Sequence, residues 1–259
     1  MKDRMVLVLS LKGDVERRSC LKRRFKKGYN DFHILDAVDY RDAKTPEGLS
    51  GLFGFEGITK SEAGCTSSHI EALAHFLSTD NKHCLIFEDD IIGNDLQVSF
   101  VFDLAQRLPE DLFMICGGMQ GLNRCRFVLG TESGVDGVLR VCRFTYTFML
   151  RTCCYMVSRS AAHHLLERHR ARFGRADDWS YLLKGYDGVF YSDVFCHPED
   201  LSQSRIESSR AASKGGLWDR LRDDGFITTI GVNLRKVLSL SLSFLPWFSL
   251  INIKKAPNE

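Results

Sequence analysis

The run CLIFEDDII at 84–92 constrains the fold more than any other stretch, because an apolar segment passes into three consecutive acids and then resumes as Ile-Ile. Adjacent carboxylates repel one another, and burying them is costly unless a cation neutralises them. A surface turn tolerates acids, but surface turns are seldom framed by Leu-Ile-Phe and Ile-Ile. The run therefore reads as a buried strand over 84–87 that delivers Glu88, Asp89 and Asp90 to its carboxyl end. Carboxylates suit hard ions such as Mg2+ and Mn2+, which keep some waters and bridge to substrate phosphates. Alternation along a strand puts Glu88 and Asp90 on one face and turns Asp89 away. Asp90 is accordingly the expected direct metal ligand. Glu88 would act through water or on a ribose, with Asp89 sharing that work if the strand bends.

The rest of the chain supplies partners for such a strand. Residues 5–11 (MVLVLSL) read as a second buried parallel strand. A helix follows over 14–27, with Asp14 as N-cap and Val15, Leu21 and Phe25 inward. Further strands are expected at 32–35, 111–118, 146–158 and 188–195, and helices at 61–77, 96–108 and 158–169. A loop entering a short helix is expected at 177–183. This alternation predicts an α/β fold with a central mixed, mainly parallel sheet flanked by helices. Ligands of open α/β sheets bind outside the carboxyl ends of the strands. Gly13, residues 36–39 and residues 88–90 would gather there if the first three strands are neighbours.

Charge and cysteine usage narrow the setting. Residues 1–30 carry +7 and residues 201–259 carry +4, leaving −9 for the middle. Basic ends around an acidic centre attract a phosphorylated ligand or an anionic membrane surface. No nucleic-acid module accompanies the charge, so nucleic acid is not expected as a partner. Nine scattered cysteines without a CxxC pair fit a reducing compartment. With no export signal or spanning segment in view, the expected location is cytoplasmic. A mobile loop is expected at 199–216. Residues 234–253 are apolar, interleaved with serine and bracketed by Arg235/Lys236 and Lys254/Lys255. With Trp247 and Pro246, they read either as an interfacial membrane anchor or as an element packed on the domain.

Several of these segments together resemble glycosyltransferase family 25, the lipooligosaccharide galactosyltransferase family. Residues 8–18 (VLSLKGDVERR) are similar to its N-terminal signature, a strand ending in Ser-Leu followed by Glu-Arg-Arg. Residues 35–39 (LDAVD) resemble its Asp-Ala step, and 59–69 (TKSEAGCTSSH) its Cys-x-x-Ser-His segment. IFEDD at 86–90 matches its acidic motif, YMVSRSA at 155–161 its Tyr-x-x-Ser element, and Asp177-Asp178-Trp179 its downstream acidic pair. Cys154 stands where the family usually has Gly, and the tail lies outside the resemblance. The resemblance implies a GT-A-like fold and transfer of a sugar, usually galactose from UDP-galactose, to a lipooligosaccharide acceptor, with Mn2+ or Mg2+ as helper. The enzyme would work at the inner face of the cytoplasmic membrane.

The resulting domain scheme is a catalytic domain at 1–200 and a loop plus membrane-associating tail at 201–259. The nucleotide-sugar part spans about 1–120 and the acceptor part about 121–200. Candidate donor-binding residues are Ser10, Leu11, Arg17, Asp36, Ala37, Asp39, Ser68, His69, Glu88 and Asp89. Arg17 offers a planar multi-donor head for phosphate or uracil. Asp90, Glu88 and His197 are the candidate metal ligands. An inverting transfer needs a base for the acceptor hydroxyl. Asp177 and Asp178 are the candidates, since a neighbouring carboxylate raises one pKa, though the pair equally suits an N-cap at Trp179. Oligomeric state is left open. Transfer of glucose or an N-acetylhexosamine from its UDP derivative is the alternative chemistry, and nucleotide-sugar binding without turnover the alternative class.

Overall fold

The computed structural model describes residues 4–40, 58–198 and 226–251. Its strands are β1 (Arg4–Ser10), β2 (His33–Asp36), β3 (His83–Glu88), β4 (Phe113–Gly117), β5 (Leu129–Glu132), β6 (Leu139–Val141), β7 (Cys154–Ser158), β8 (Val189–Phe195) and β9 (Phe248–Leu250). Its helices are α1 (Val15–Arg24), α2 (Lys60–Leu77), α3 (Asp95–Arg107), α4 (Arg159–Ala171), the single turn α5 (Trp179–Leu182) and α6 (Phe226–Leu242). All nine strands join one sheet in the order β2-β1-β3-β7-β4-β8-β6-β5-β9.

The α/β class with a mixed sheet and flanking helices is as expected, but the parallel share is smaller. Three pairings are parallel (β1 with β2, β1 with β3, β4 with β8) and five are antiparallel. Strand β7 runs backwards between β3 and β4, so β1, β2, β3, β4 and β8 still point the same way. Their carboxyl ends, and the amino end of β7, form one edge of the sheet. Leu7, Val8, Leu85, Ile86, Phe113 and Met114 are fully buried. That explains why these strands read as unbroken apolar runs, with helices on both faces.

Three local expectations are corrected. Val15 is 69% exposed, so α1 rests on the sheet through Leu21 and Phe25, both fully buried. Asp14 stands at the N-cap of α1 without a capping hydrogen bond. The strand expected from 146 starts only at Cys154. Residues Arg143–Phe148 form a 3-10 turn, and Arg151 sits in the left-handed region at φ 67°, where an extended strand cannot continue.

The tail is tied to the sheet. Strand β9 pairs antiparallel with β5, and Ile251 beyond it is buried. Among the described residues, no helix is long and apolar enough to cross a membrane. The loop expected at 199–216 lies outside the described residues. None of the nine cysteines is in a disulfide.

Candidate active site

The cavity opens at the carboxyl edge of β1 and β3. Helix α2 builds one wall. Its start is fixed by a capping box: Thr59 Oγ1 accepts from Glu62 N, and Glu62 Oε2 accepts from Thr59 N at 2.8 Å. Ser68 Oγ donates to Gly64 O and accepts from Val38 N, both under 3 Å. These bonds pin the segment after β2 against the helix, and Ala37 and Asp39 thereby line the cavity. The approach requires glycine at position 64, where a Cβ would lie 2.6 Å from Val38 O.

The three acids leave β3 in three directions. Glu88 ends the strand; its Oε1 accepts from Thr152 Oγ1 and lies 3.4 Å from His69 Nε2. His69 Nδ1 is hydrogen-bonded to the buried Tyr155 hydroxyl at 2.8 Å. Cys65, His69 and Glu88 bring their ligand atoms within 4.8 Å of one another. Asp89 is the most buried of the three acids, 6% exposed, and its Oδ1 accepts from Arg17 Nη1 at 2.8 Å. Burial raises the Asp89 carboxyl above its ordinary value although Arg17 and Ser10 oppose this. For Arg17, burial alone would lower the pKa, and the Asp89 and Asp90 charges outweigh it.

Asp90 lies between two cationic or titratable partners, its Oδ2 3.5 Å from Arg17 Nη1 and facing a histidine from the chain that leaves β8. An isolated bridge between Ile92 and Cys196 ties the turn after β3 to the chain leaving β8. His197 Nε2 is thereby set 3.4 Å from Asp90 Oδ2. His197 Nδ1 lies 2.8 Å from Pro198 O, a pure acceptor, so Nδ1 carries the ring proton. In the neutral ring Nε2 is then a lone pair aimed at a carboxylate. Asp90 Oδ1 is buried and has no hydrogen-bond partner. Burial would push the Asp90 carboxyl up, but His197, Arg17 and Arg151 outweigh it and hold it below the ordinary carboxylate value. A ring protonated at both nitrogens donates from Nε2 to Asp90, and in the neutral ring a metal ion can stand in that proton's place beside the unpartnered Oδ1. Donors at about 2.1 Å from one divalent ion lie roughly 3.0–3.4 Å apart. The observed 3.4 Å separation and the N/O donor set fit such an ion.

The structure separates the sequence candidates. Ser10, Leu11, Arg17, Ala37, Asp39, Ser68, His69, Glu88, Asp89, Asp90, Asp177 and His197 all line the cavity. Asp36 does not: its Oδ1 accepts from Arg18, which also holds Ser10, on the outer side of the edge. Asp178 does not either. It caps α5 by accepting from Tyr181 N and pairs with Arg172. Asp177 Oδ2 faces the cavity and accepts from Arg151 N at 3.2 Å. Trp179 is 2% exposed, packs on Phe113, and donates from Nε1 to Arg151 O, so it is a core residue. Asp89 reaches the cavity, contrary to strand alternation, because β3 stops at Glu88 and both following side chains lie in a turn.

Arg151 and Thr152 were not foreseen. Arg151 lines the cavity with its guanidinium bonded to Gly118 O and Gln120 O, both at 2.9 Å. Those carbonyls are within reach because β4 ends in two glycines of positive φ. A Cβ at Gly117 would lie 2.1 Å from Phe195 O. The only sequence signal for Arg151 is a lone cation within an apolar run.

Residues 4–123 match the family model described as glycosyltransferase family 25 (LPS biosynthesis protein). No curated protein matches the chain. Two solved structures are similar at low identity. One is a glycosyltransferase involved in the glycosylation of the major capsid of PBCV-1, at 10% identity and TM-score 0.41, covering 81% of this chain and 99% of that one. The other is a protein from STIV, at 11% identity and TM-score 0.39, covering 74% of this chain and 83% of that one.

Proposed function

We propose, on the premise that residues 4–123 are those of a family 25 glycosyltransferase, that the chain transfers galactose from UDP-galactose to a saccharide acceptor of the lipopolysaccharide class. Transfer is inverting and assisted by a divalent ion. The observation that carries this reading is the orphaned Asp90 Oδ1 beside the facing pair of Asp90 Oδ2 and His197 Nε2. Asp90 and His197 would hold the ion, Mn2+ or Mg2+, which when bound stabilises negative charge on a diphosphate leaving group.

The side chains around it have separable tasks. Arg17, anchored on Asp89, presents its guanidinium on the same wall and is suited to a phosphate or to the uracil face. Arg151, held by two carbonyls, adds fixed positive charge where the leaving group would accumulate negative charge. Asp39 and Glu88 line the same cavity and are suited to ribose and sugar hydroxyls. Asp177, restrained by Arg151 N, takes the proton of the acceptor hydroxyl as its oxygen bonds to the anomeric carbon. The bond from that carbon to the diphosphate oxygen breaks, and UDP leaves with the electron pair.

The test is UDP release from UDP-galactose with Mn2+ and a lipooligosaccharide acceptor, in the wild type, Asp90→Ala and His197→Ala. Both variants are expected to lose at least tenfold in rate and to lose Mn2+ binding by electron paramagnetic resonance. Full activity in EDTA would remove the metal. Thermal protection by another UDP-sugar in place of UDP-galactose would change the donor.

A further inference from the structure

Over the side chains described from residue 231 on, helix α6 turns apolar residues outward. It packs on the 3-10 turns Cys125–Phe127 and Arg143–Phe148. The residues that face them are polar as much as apolar: Val232, Lys236 with its ammonium 5.6 Å from the Phe127 ring, and the fully buried Ser239. The outward stripe is Leu234, Val237 and Leu238, at helical spacings of three and four, with Leu245 in the turn beyond the helix, and each is more than 40% exposed. Phe244 and Trp247 follow at 88% and 70% exposed. Apolar side chains presented together on one helix face mark a contact surface.

The exposed charges carried by α6 and by the turn Cys125–Phe127 beneath it are cationic among the described residues. Arg235 is exposed on α6, Lys236 is half-buried beside it, and Arg124 and Arg126 are exposed at the turn beneath. Neither α6 nor either 3-10 turn contains an acid. A second copy of this chain docking stripe to stripe would bring these cations against their own images, which is repulsive. An anionic bilayer surface pairs with the cations and receives the leucines, while Phe and Trp suit the headgroup boundary. Among the described residues no helix is long and apolar enough to cross a membrane, so the contact is with the surface.

We infer that the outward face of α6, with Phe244 and Trp247, docks the protein on an anionic lipid surface. The inference stands on apolar exposure and charge alone and does not depend on the sugar-transfer reading. The test is flotation of the full chain with phosphatidylcholine vesicles, with and without 30 mol% phosphatidylglycerol. The protein floats with the anionic vesicles and stays behind with the neutral ones, and Trp247 emission shifts to the blue on binding. The double variants Phe244→Ser/Trp247→Ser and Arg124→Glu/Arg126→Glu each lower the partition coefficient by about tenfold or more. Phe244 and Trp247 are exposed, so their double variant keeps the wild-type melting temperature. Arg124 and Arg126 also contact Thr147, Phe148 and Phe127, so the melting temperature of their variant is measured beside flotation to separate lost docking from lost folding. Unchanged flotation of folded variants would overturn the inference, as would equal flotation with neutral vesicles. So would a dimer in light scattering that Phe244→Ser/Trp247→Ser dissociates.

Discussion

The two flanks of the sheet use polar and apolar residues in opposite ways. On the β2–β1–β3 flank the strands are apolar throughout and their carboxyl ends are charged, with Arg17, Asp89 and Asp90 drawn into a cavity. On the β5–β9 flank the strands are three or four residues long and partly exposed, and the covering helix points leucines outward while burying a serine. The first flank gathers charge at the price of electrostatic strain, which a bound ion and an anionic substrate would relieve. On the second flank the exposed apolar area would be relieved by a surface. One sheet thus joins a charged cavity to an exposed apolar face. Damage to chemistry should therefore concentrate on the first flank and leave folding largely intact.

The sharpest break of that contrast is Asp177→Asn. The substitution keeps an oxygen to accept from Arg151 N, so the fold is expected to survive with an unchanged melting temperature. The amide cannot take the acceptor proton, and turnover should fall on the order of 10^2–10^4-fold while donor binding is spared. Full turnover by this variant would remove the base from the first flank altogether.

The next effect is on acid stability and belongs to the same side of the molecule. His169 on α4 is 4% exposed, and its Nδ1 is buried without a hydrogen-bond partner. Burial, with a smaller contribution from His69, lowers its pKa to about 4. The folded state thus binds this proton less readily than the unfolded chain, whose histidine titrates near 6.5. Stability is complete above about 6.5 and is lost as pH falls towards about 4, for a total of ~3 kcal/mol. Replacing the ring by His169→Leu should flatten the dependence of the urea midpoint on pH by about one proton between pH 4 and 6.5. An unchanged slope would assign the acid sensitivity to another group.

How legible each flank was in sequence follows from the same contrast. β1, α2 and β3 declare themselves, because buried parallel strands are short apolar runs and Thr59 with Glu62 spells a capping box. The gathering of 36–39 and 88–90 on one edge required only that β2, β1 and β3 be neighbours, which they are. The register of the site was less accessible. Whether Asp89 faces the cavity depends on where β3 stops, a one-residue question that alternation cannot decide. Arg151 reaches the site because it adopts a left-handed conformation held by Asp177 and Trp179, contacts that exist only after folding. Strands β5 and β6 are too short for a period-two pattern to emerge, and β9 is recognisable only by its pairing with β5. Val15 misled because an apolar residue in a first turn carries no information about which face is covered.

The smallest predicted effect discriminates best, since it concerns the residue beside the proposed base. Asp178 and Asp177 are indistinguishable as a sequence pair, and a cap and a base were equally good readings of both. In the structure Asp178 accepts from Tyr181 N and Ser180 Oγ and pairs with Arg172, a half-exposed ion pair of little net worth. Asp178→Ala should cost about 1 kcal/mol of stability, the usual value of an N-cap, and leave turnover within about twofold. Asp178→Asn should be close to neutral in both, because asparagine caps as well as aspartate does. The same Asp→Asn change would then be lethal to chemistry at 177 and silent at 178. If Asp178→Asn instead abolishes turnover with the melting temperature unchanged, the cap is the wrong role and the base lies one residue further along the chain.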